Sequence, residues 1–172
     1  MSIVCIALMV MGGMTMVNGF LSSVDSTTLG LEEISQRDDD ILRTSTSTLV
    51  ADQSSADVLE VTLRNSGQTK LTEFEGWDVI VQYYDSGGGY HVKWLPYTAG
   101  APGNNEWTKE GIDLDAGTET AEVFEPGILN PAEEMVILAR LSPSVGQGTT
   151  NMVIISTPNG ITASIMFSGY SP

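Results

Sequence analysis

Polar and apolar residues follow three different rules along this chain, in order. From Ile3 to Val17 nearly every position is apolar, with no proline and no alternation, which predicts a helix rather than a half-buried strand. Leu21, Val24, Leu31 and Ile34 then recur near helical spacing, with Asp25, Glu32 and Glu33 around the other side, so an amphipathic helix is expected to continue the apolar one. The pattern weakens at "RDDD", where Asp38 and Asp39 fall on the apolar arc, and Ile41 and Leu42 add one further turn. A helix of about 45 residues would be roughly 70 Å long at 1.5 Å per residue. That is too long to fold back on one small domain, so it is expected to protrude or to pack on other chains. The Ser/Thr-rich "RTSTSTLVADQSS" reads as a linker or neck whose hydroxyls could carry O-glycans or stay unmodified.

From about residue 49 the period becomes two. "VLEVTLRN" puts Leu59, Val61 and Leu63 on one face, and "WDVIVQYYD" puts Val79, Val81 and Tyr83 on one face with Ile80 and Tyr84 on the other. "YHVKWL", "EEMVILARL", "NMVIIS" and "ITASIMF" obey the same rule. Turn signals separate them, among them "NSGQ", "LPYTAGAPGNN", "EPGILNPAE" and "PSVGQG". "SGGG" is expected to close one hairpin and "PNG" another tight turn. The fold class is therefore α+β: a long N-terminal hydrophobic α-helix followed by an antiparallel Ig-like β-sandwich, with residues 1–48 as helix, stem and neck and 49–172 as sandwich.

Charge sharpens this division. The first 24 residues carry none and hold five of the eight methionines; the rest carries 22 acidic against 7 basic residues, a net of -15. With no basic patch to neutralise phosphates, nucleic acid is excluded as a partner, and so is docking on an anionic membrane surface. The one cysteine, Cys5, rules out a disulfide framework within the chain and reads as a small packing residue in the apolar run.

Catalytic signals are missing. No Gly-x-Ser-x-Gly elbow occurs, "SGGG" lacks the Lys-Ser/Thr of a phosphate loop, and the single histidine, His91, sits in a strand-like stretch as a surface or packed residue. One acidic loop, "GIDLDAGTE", places Asp113, Asp115 and Glu119 around Gly117. Alternating carboxylates with a glycine suit Ca²⁺, which takes six to eight oxygens, although the spacing is not that of an EF-hand. A solvated turn is the competing reading.

The order charge-free helix, helical stem, Ser/Thr neck, sandwich resembles the archaellins, subunits of the archaeal swimming filament, and their type IV pilin-like relatives. "VTLRNSGQTKL" looks like that family's strand–"N-x-G"–strand element, "ILNPAEEMVILARL" like its "L-N-P-x-E" turn into a strand, and "TPNGITASIMF" like its closing hairpin. Family precursors carry a basic leader that is cut before the apolar run; here Met1 looks like the mature N-terminus. Cys5 stands where bacterial type IV pilins have Glu, which fits the archaeal branch. The resemblance implies a non-enzymatic structural subunit of a cell-surface or extracellular helical filament for motility or adhesion. It would be held in the membrane before assembly, then drawn into the polymer by an assembly ATPase and platform machinery. Its partners would be many copies of itself. The polymerisation core would comprise Ile3, Val4, Ile6, Leu8, Val10, Met14, Val17, Phe20, Leu21 and Val24, with Gly12, Gly13 and Gly19 allowing close helix packing. Archaellum stator proteins share the helix-plus-sandwich plan, so a membrane-anchored Ig-like binding module, stator-like or adhesive, is the alternative.

Overall fold

The computed structural model describes residues 2–171; for Ser2, Ser22, Asp25, Ser26, Leu29 and Glu33 it describes the backbone alone. The polar positions expected at Asp25 and Glu33 thus fall outside the described side chains, and the role assigned to Met1 falls outside the described residues. Two compact units are present, residues 1–40 and 41–172.

The first unit is formed by helix α1 (Ser2–Arg43), whose last turn belongs to the second unit. It runs unbroken through "RDDD", where the sequence pattern weakened. The three aspartates are exposed there, so they need not join any apolar stripe. At 42 residues α1 is about 63 Å long. Arg43 in its last turn complements the negative end of the helix dipole.

The second unit is a sandwich of two antiparallel sheets. One sheet has strand order β1-β2-β7-β5-β6, from β1 (Thr46–Ser55), β2 (Val58–Asn65), β5 (Glu106–Asp115), β6 (Thr120–Ala121) and β7 (Glu134–Arg140). The other has order β4-β3-β8-β9, from β3 (Asp78–Tyr84), β4 (Tyr90–Leu95), β8 (Thr150–Ser156) and β9 (Thr162–Ser168). The alternation read from the sequence decides which side chains meet between them. Leu59, Val61, Leu63, Val79, Val81 and Tyr83 are all fully buried, packed with Trp107, Ile137, Met135, Val153, Ile155 and Phe167. Among the described residues, every buried apolar side chain lies between Leu59 and Phe167, so the sandwich has a core of its own.

Two expectations are corrected here. The expected neck, 44–55, is not a linker: Thr46–Ser55 is a full strand, β1, paired with β2 from Thr46↔Asn65 to Ser55↔Val58. Its register shifts between Thr48 and Val50 and again between Gln53 and Ser55. These bulges break the period of two and hide the strand in the sequence pattern. The same reason conceals β5, whose second half is the stretch expected as an acidic loop: its register shifts between Lys109 and Gly111.

The local motifs have specific jobs. Asn65 is fully buried; its Nδ2 donates to the carbonyls of Thr69 (2.8 Å) and Leu129 (3.0 Å), and its Oδ1 accepts from Gly67 N–H (3.1 Å). The turn it shapes holds the chain leaving α1: Gln68 N–H donates to Arg43 C=O (2.8 Å) and Ser66 N–H to Ser45 C=O (3.0 Å). In "NPAE", the buried Glu133 carboxylate accepts from Asn130 N–H at 2.8 Å, and Ala132 takes a positive φ of 74°. The expected hairpins are present, at Asp85–Gly89 between β3 and β4 and at Thr157–Ile161 between β8 and β9, the latter turning at Gly160 (φ 87°).

Candidate functional site

The sequence places the functional surface on α1, and the helix carries the chemistry of a lipid- or helix-facing rod. Ile3–Leu21 is a 19-residue span of mean hydropathy 1.9, long and apolar enough to cross a membrane. At 1.5 Å per residue it is about 28 Å long, close to the ~30 Å of a bilayer's hydrocarbon core. Every named core candidate is exposed, from Ile3 (83%) to Val24 (44%), with Val4, Ile6, Leu8, Val10, Met14, Val17, Phe20 and Leu21 between them. Cys5 is exposed on the same rod. Gly12, Gly13 and Gly19 have open space where a Cβ would stand, so they flatten the rod's surface without serving a contact inside this chain.

Three threonine hydroxyls fold back onto the helix backbone. Thr15 Oγ1 donates to Gly12 C=O (2.9 Å), Thr27 Oγ1 to Ser23 C=O (2.7 Å) and Thr28 Oγ1 to Val24 C=O (2.9 Å). Inside the span Thr15 is thus paired to the helix backbone, as an apolar surrounding demands, while Asn18 presents its amide on the exposed surface.

The calcium reading finds no support. Asp113 sits on β5 opposite Ala121, and Asp115 ends β5 with its Oδ1 accepting from Thr118 N–H (3.1 Å). Glu119 follows in the left-handed conformation, φ 51°. Among the described residues no group of three His, Cys, Asp or Glu side chains could hold a metal ion. The loop is instead a capped turn: Asp115 closes a short 3-10 turn (Ala116–Thr118), and Glu134 Oε2 accepts Ala116 N–H (2.9 Å).

His91 is a packed strand residue in a polar cluster. Its Nε2 lies 2.7 Å from Asp85 Oδ2 and its ring stacks on Tyr83 at 5.2 Å. Asp85 Oδ1 also accepts N–H bonds from Gly87 and Gly89, both 2.8 Å. The His91 bond first, then the glycine N–H groups, hold the Asp85 carboxyl below the usual carboxylate range.

The two outer faces of the sandwich differ in kind, which the sequence reading did not single out. On the β1-β2-β7-β5 side the outward register rows carry Asp52, Glu60, Glu106, Asp113 and Glu134 against Arg64 and Arg140. Partial burial, then the nearby charges of Glu110 and Asp52, push the Glu60 carboxyl up. On the β4-β3-β8-β9 side the rows read Trp94–Ile80–Ile154–Ser164 and Val92–Gln82–Met152–Met166, with Tyr90 beside Tyr84. Trp94 (58%), Val92 (58%), Met166 (56%), Tyr90 (54%) and Tyr84 (44%) are exposed there. Two of their polar tips are tied down on the face itself: Trp94 Nε1 donates to Asp78 Oδ1 (2.7 Å) and Tyr90 OH to Gln82 Oε1 (2.9 Å). Strict alternation in "YHVKWL" with apolar residues at Tyr90, Val92 and Trp94 was the available signal.

No protein-family model matches the chain, and no curated protein does. Among solved structures the chain is similar to the archaellum periplasmic stator protein FlaG from Sulfolobus acidocaldarius. The identity is 22%, covering 72% of this chain and 99% of that one, with a TM-score of 0.52. It is also similar to a chain of the archaellum periplasmic stator complex of FlaF and FlaG from the same organism, at 21% identity, 71% and 87% coverage and a TM-score of 0.52. Archaeal flagellin FlaB1 from Methanocaldococcus jannaschii follows at 12% identity, 74% and 94% coverage and a TM-score of 0.47, too low to carry an argument. The chain thus has an apolar N-terminal helix followed by an antiparallel sandwich of the fold seen in the archaellum stator protein FlaG.

Proposed function

We propose that this chain is a membrane-held, non-catalytic component of an archaellum-type machine, with α1 in the bilayer and the sandwich working at the outer surface as a stator-like module. The carrying observation is the 19-residue uncharged span built into the same continuous helix that leads straight into the sandwich, with only Thr44 and Ser45 between α1 and β1. The sandwich's likeness to the stator protein FlaG supports the stator-like role. Its acidic surface suits an aqueous setting.

A second reading, the filament subunit, is favoured by one feature of α1. Exposed apolar residues continue beyond the span, at Val24, Leu31 and Ile34. In that reading a platform and its ATPase draw the chain from lipid into a bundle of other copies of α1, burying side chains that contribute on the order of 1.5–3 kcal/mol each relative to water. A heterologous contact that does not close yields a filament.

Shearing separates the two. Cells expressing the chain are sheared, and filaments and membranes are collected apart. The stator-like reading expects the protein in the membrane pellet, released by detergent, and a chain lacking residues 1–21 in the soluble fraction. Recovery as the bulk component of sheared filaments would overturn it in favour of the filament subunit.

A further inference from the structure

The sandwich has one face that its charge and relief suit to a second copy of itself. The chain carries -15, yet among the described residues the outward rows of the β4-β3-β8-β9 sheet hold one carboxylate, Asp78, and no Lys or Arg. Two such chains repel across their acidic faces and repel least across this one. A partner recruited by electrostatics would take the acidic face instead.

The relief of the face argues for a definite arrangement. Side chains are tall along β4 (Trp94, Val92, Tyr90) and short or flexible along β9 (Ser164, Met166, Ser168). A two-fold axis lying between two such faces and running along the strands sets one copy's β4 over the other's β9. Trp94 then meets Ser164, Val92 meets Met166 and Tyr90 meets Ser168, twice over, while the Ile80 and Ile154 positions pack on each other in the middle. The alternative axis, across the strands, sets Trp94 against Tyr90 and leaves the serine edges facing a gap. Because Trp94 and Tyr90 already hold hydrogen bonds on their own sheet, covering them strands no donor. We infer that the β4-β3-β8-β9 face forms an isologous contact with a second copy of this chain, β4 over β9.

Size sets its strength. Four strands at ~4.8 Å spacing and seven residues at ~3.3 Å give a footprint of roughly 440 Å² per copy. That is about half of the ~800 Å² per partner of a standard stable interface. The contact is weak between free sandwiches and fills when copies are concentrated together, as tethering raises effective concentration toward the mM range.

The test uses the full chain, with Cys5→Ser, in lipid vesicles. Chains carrying Val92→Cys are mixed with chains carrying Met166→Cys and treated with a short bismaleimide. The Val92→Cys/Met166→Cys pair should cross-link ~10-fold faster than either variant with itself and than Thr62→Cys on the acidic face with itself. Ser164→Trp, at an exposed position whose backbone carbonyl accepts from Thr48 Oγ1 but whose side chain is not used in that bond, should cut that rate ~10-fold, as should Trp94→Asp. Equal rates for all pairs, or a preference for Val92→Cys with itself, would overturn the arrangement. So would cross-linking in native membranes to a different protein in place of a second copy. Because the readout is which faces meet, it holds whether the chain is stator-like or a filament subunit.

Discussion

Replacing Gly67 by alanine tests the joint through which the chain passes from helix to sandwich. A Cβ at Gly67 would stand 2.5 Å from Ser45 N, 2.6 Å from Arg43 O and 3.1 Å from Thr44 C, all backbone atoms. No side chain there can swing away, and ordinary contact begins at 3.4 Å. The two segments must separate by about 1 Å, which takes the Gln68–Arg43 and Ser66–Ser45 hydrogen bonds from 2.8 and 3.0 Å to near 4 Å, beyond bonding range. Losing two such bonds removes about 1–3 kcal/mol, and the residual overpacking adds about 1 kcal/mol or more. We expect a loss of about 2–4 kcal/mol, which at roughly 3–5 °C per kcal/mol for a unit of this size lowers Tm by about 6–20 °C. The assay is a thermal melt of the full chain in detergent, followed by near-UV circular dichroism of Trp77, Trp107 and Tyr83, all buried in the core. Gly100→Ala is the control: a Cβ there meets nothing within 4 Å, so the change should be neutral or slightly stabilising. A Gly67→Ala melt within about 2 °C of that control would refute the close-approach reasoning.

Two further outcomes follow from the site geometry. The Asp85 carboxyl is held low by His91 and the two glycine N–H groups, so its stabilisation is full above its unfolded value of about 4 and fades as pH falls through the lower folded value. Denaturant midpoints should therefore show Asp85→Asn weaker than the parent at pH 7, with the gap closing below about pH 4; a gap that ignores pH would contradict this. In α1, Val10→Lys together with Met14→Lys puts two charges near the middle of the span, at about 2.5–3.5 kcal/mol each. Alkaline extraction should then release the double variant from membranes but not Ser23→Lys, which lies beyond the span; equal retention would argue that the span does not sit in lipid.

Much of the architecture was legible in order along the chain because side-chain period is a local property. An unbroken apolar run of this length satisfies its backbone within one segment as helix, and alternation at Leu59–Leu63 and Val79–Tyr83 groups side chains by face before any partner strand is known. β1 and β5 escaped because a bulge shifts the alternation by one residue, and only the neighbouring ladder reveals where the register resumes. Among the described residues Asp113, Asp115 and Glu119 form no three-carboxylate group, for a related reason. Spacing puts carboxylates near one another along the chain, but the exposed Asp115 accepts from Thr118 N–H and caps its own 3-10 turn.

By itself, then, the sequence determined that this protein has an apolar helix, an acidic sandwich and no recognisable catalytic motif, since hydropathy, charge and period are carried residue by residue. Tertiary structure alone decided the rest. Strand order brings β4, β3, β8 and β9 side by side and so assembles Val92 and Trp94, Ile80, and Ile154, from three separate stretches of the chain, into one face whose outward rows carry a single carboxylate, Asp78. Close approach of backbone at Gly67, with no demand on its φ, explains the glycine of "N-x-G". Both depend on which segments become neighbours, and no local pattern encodes that.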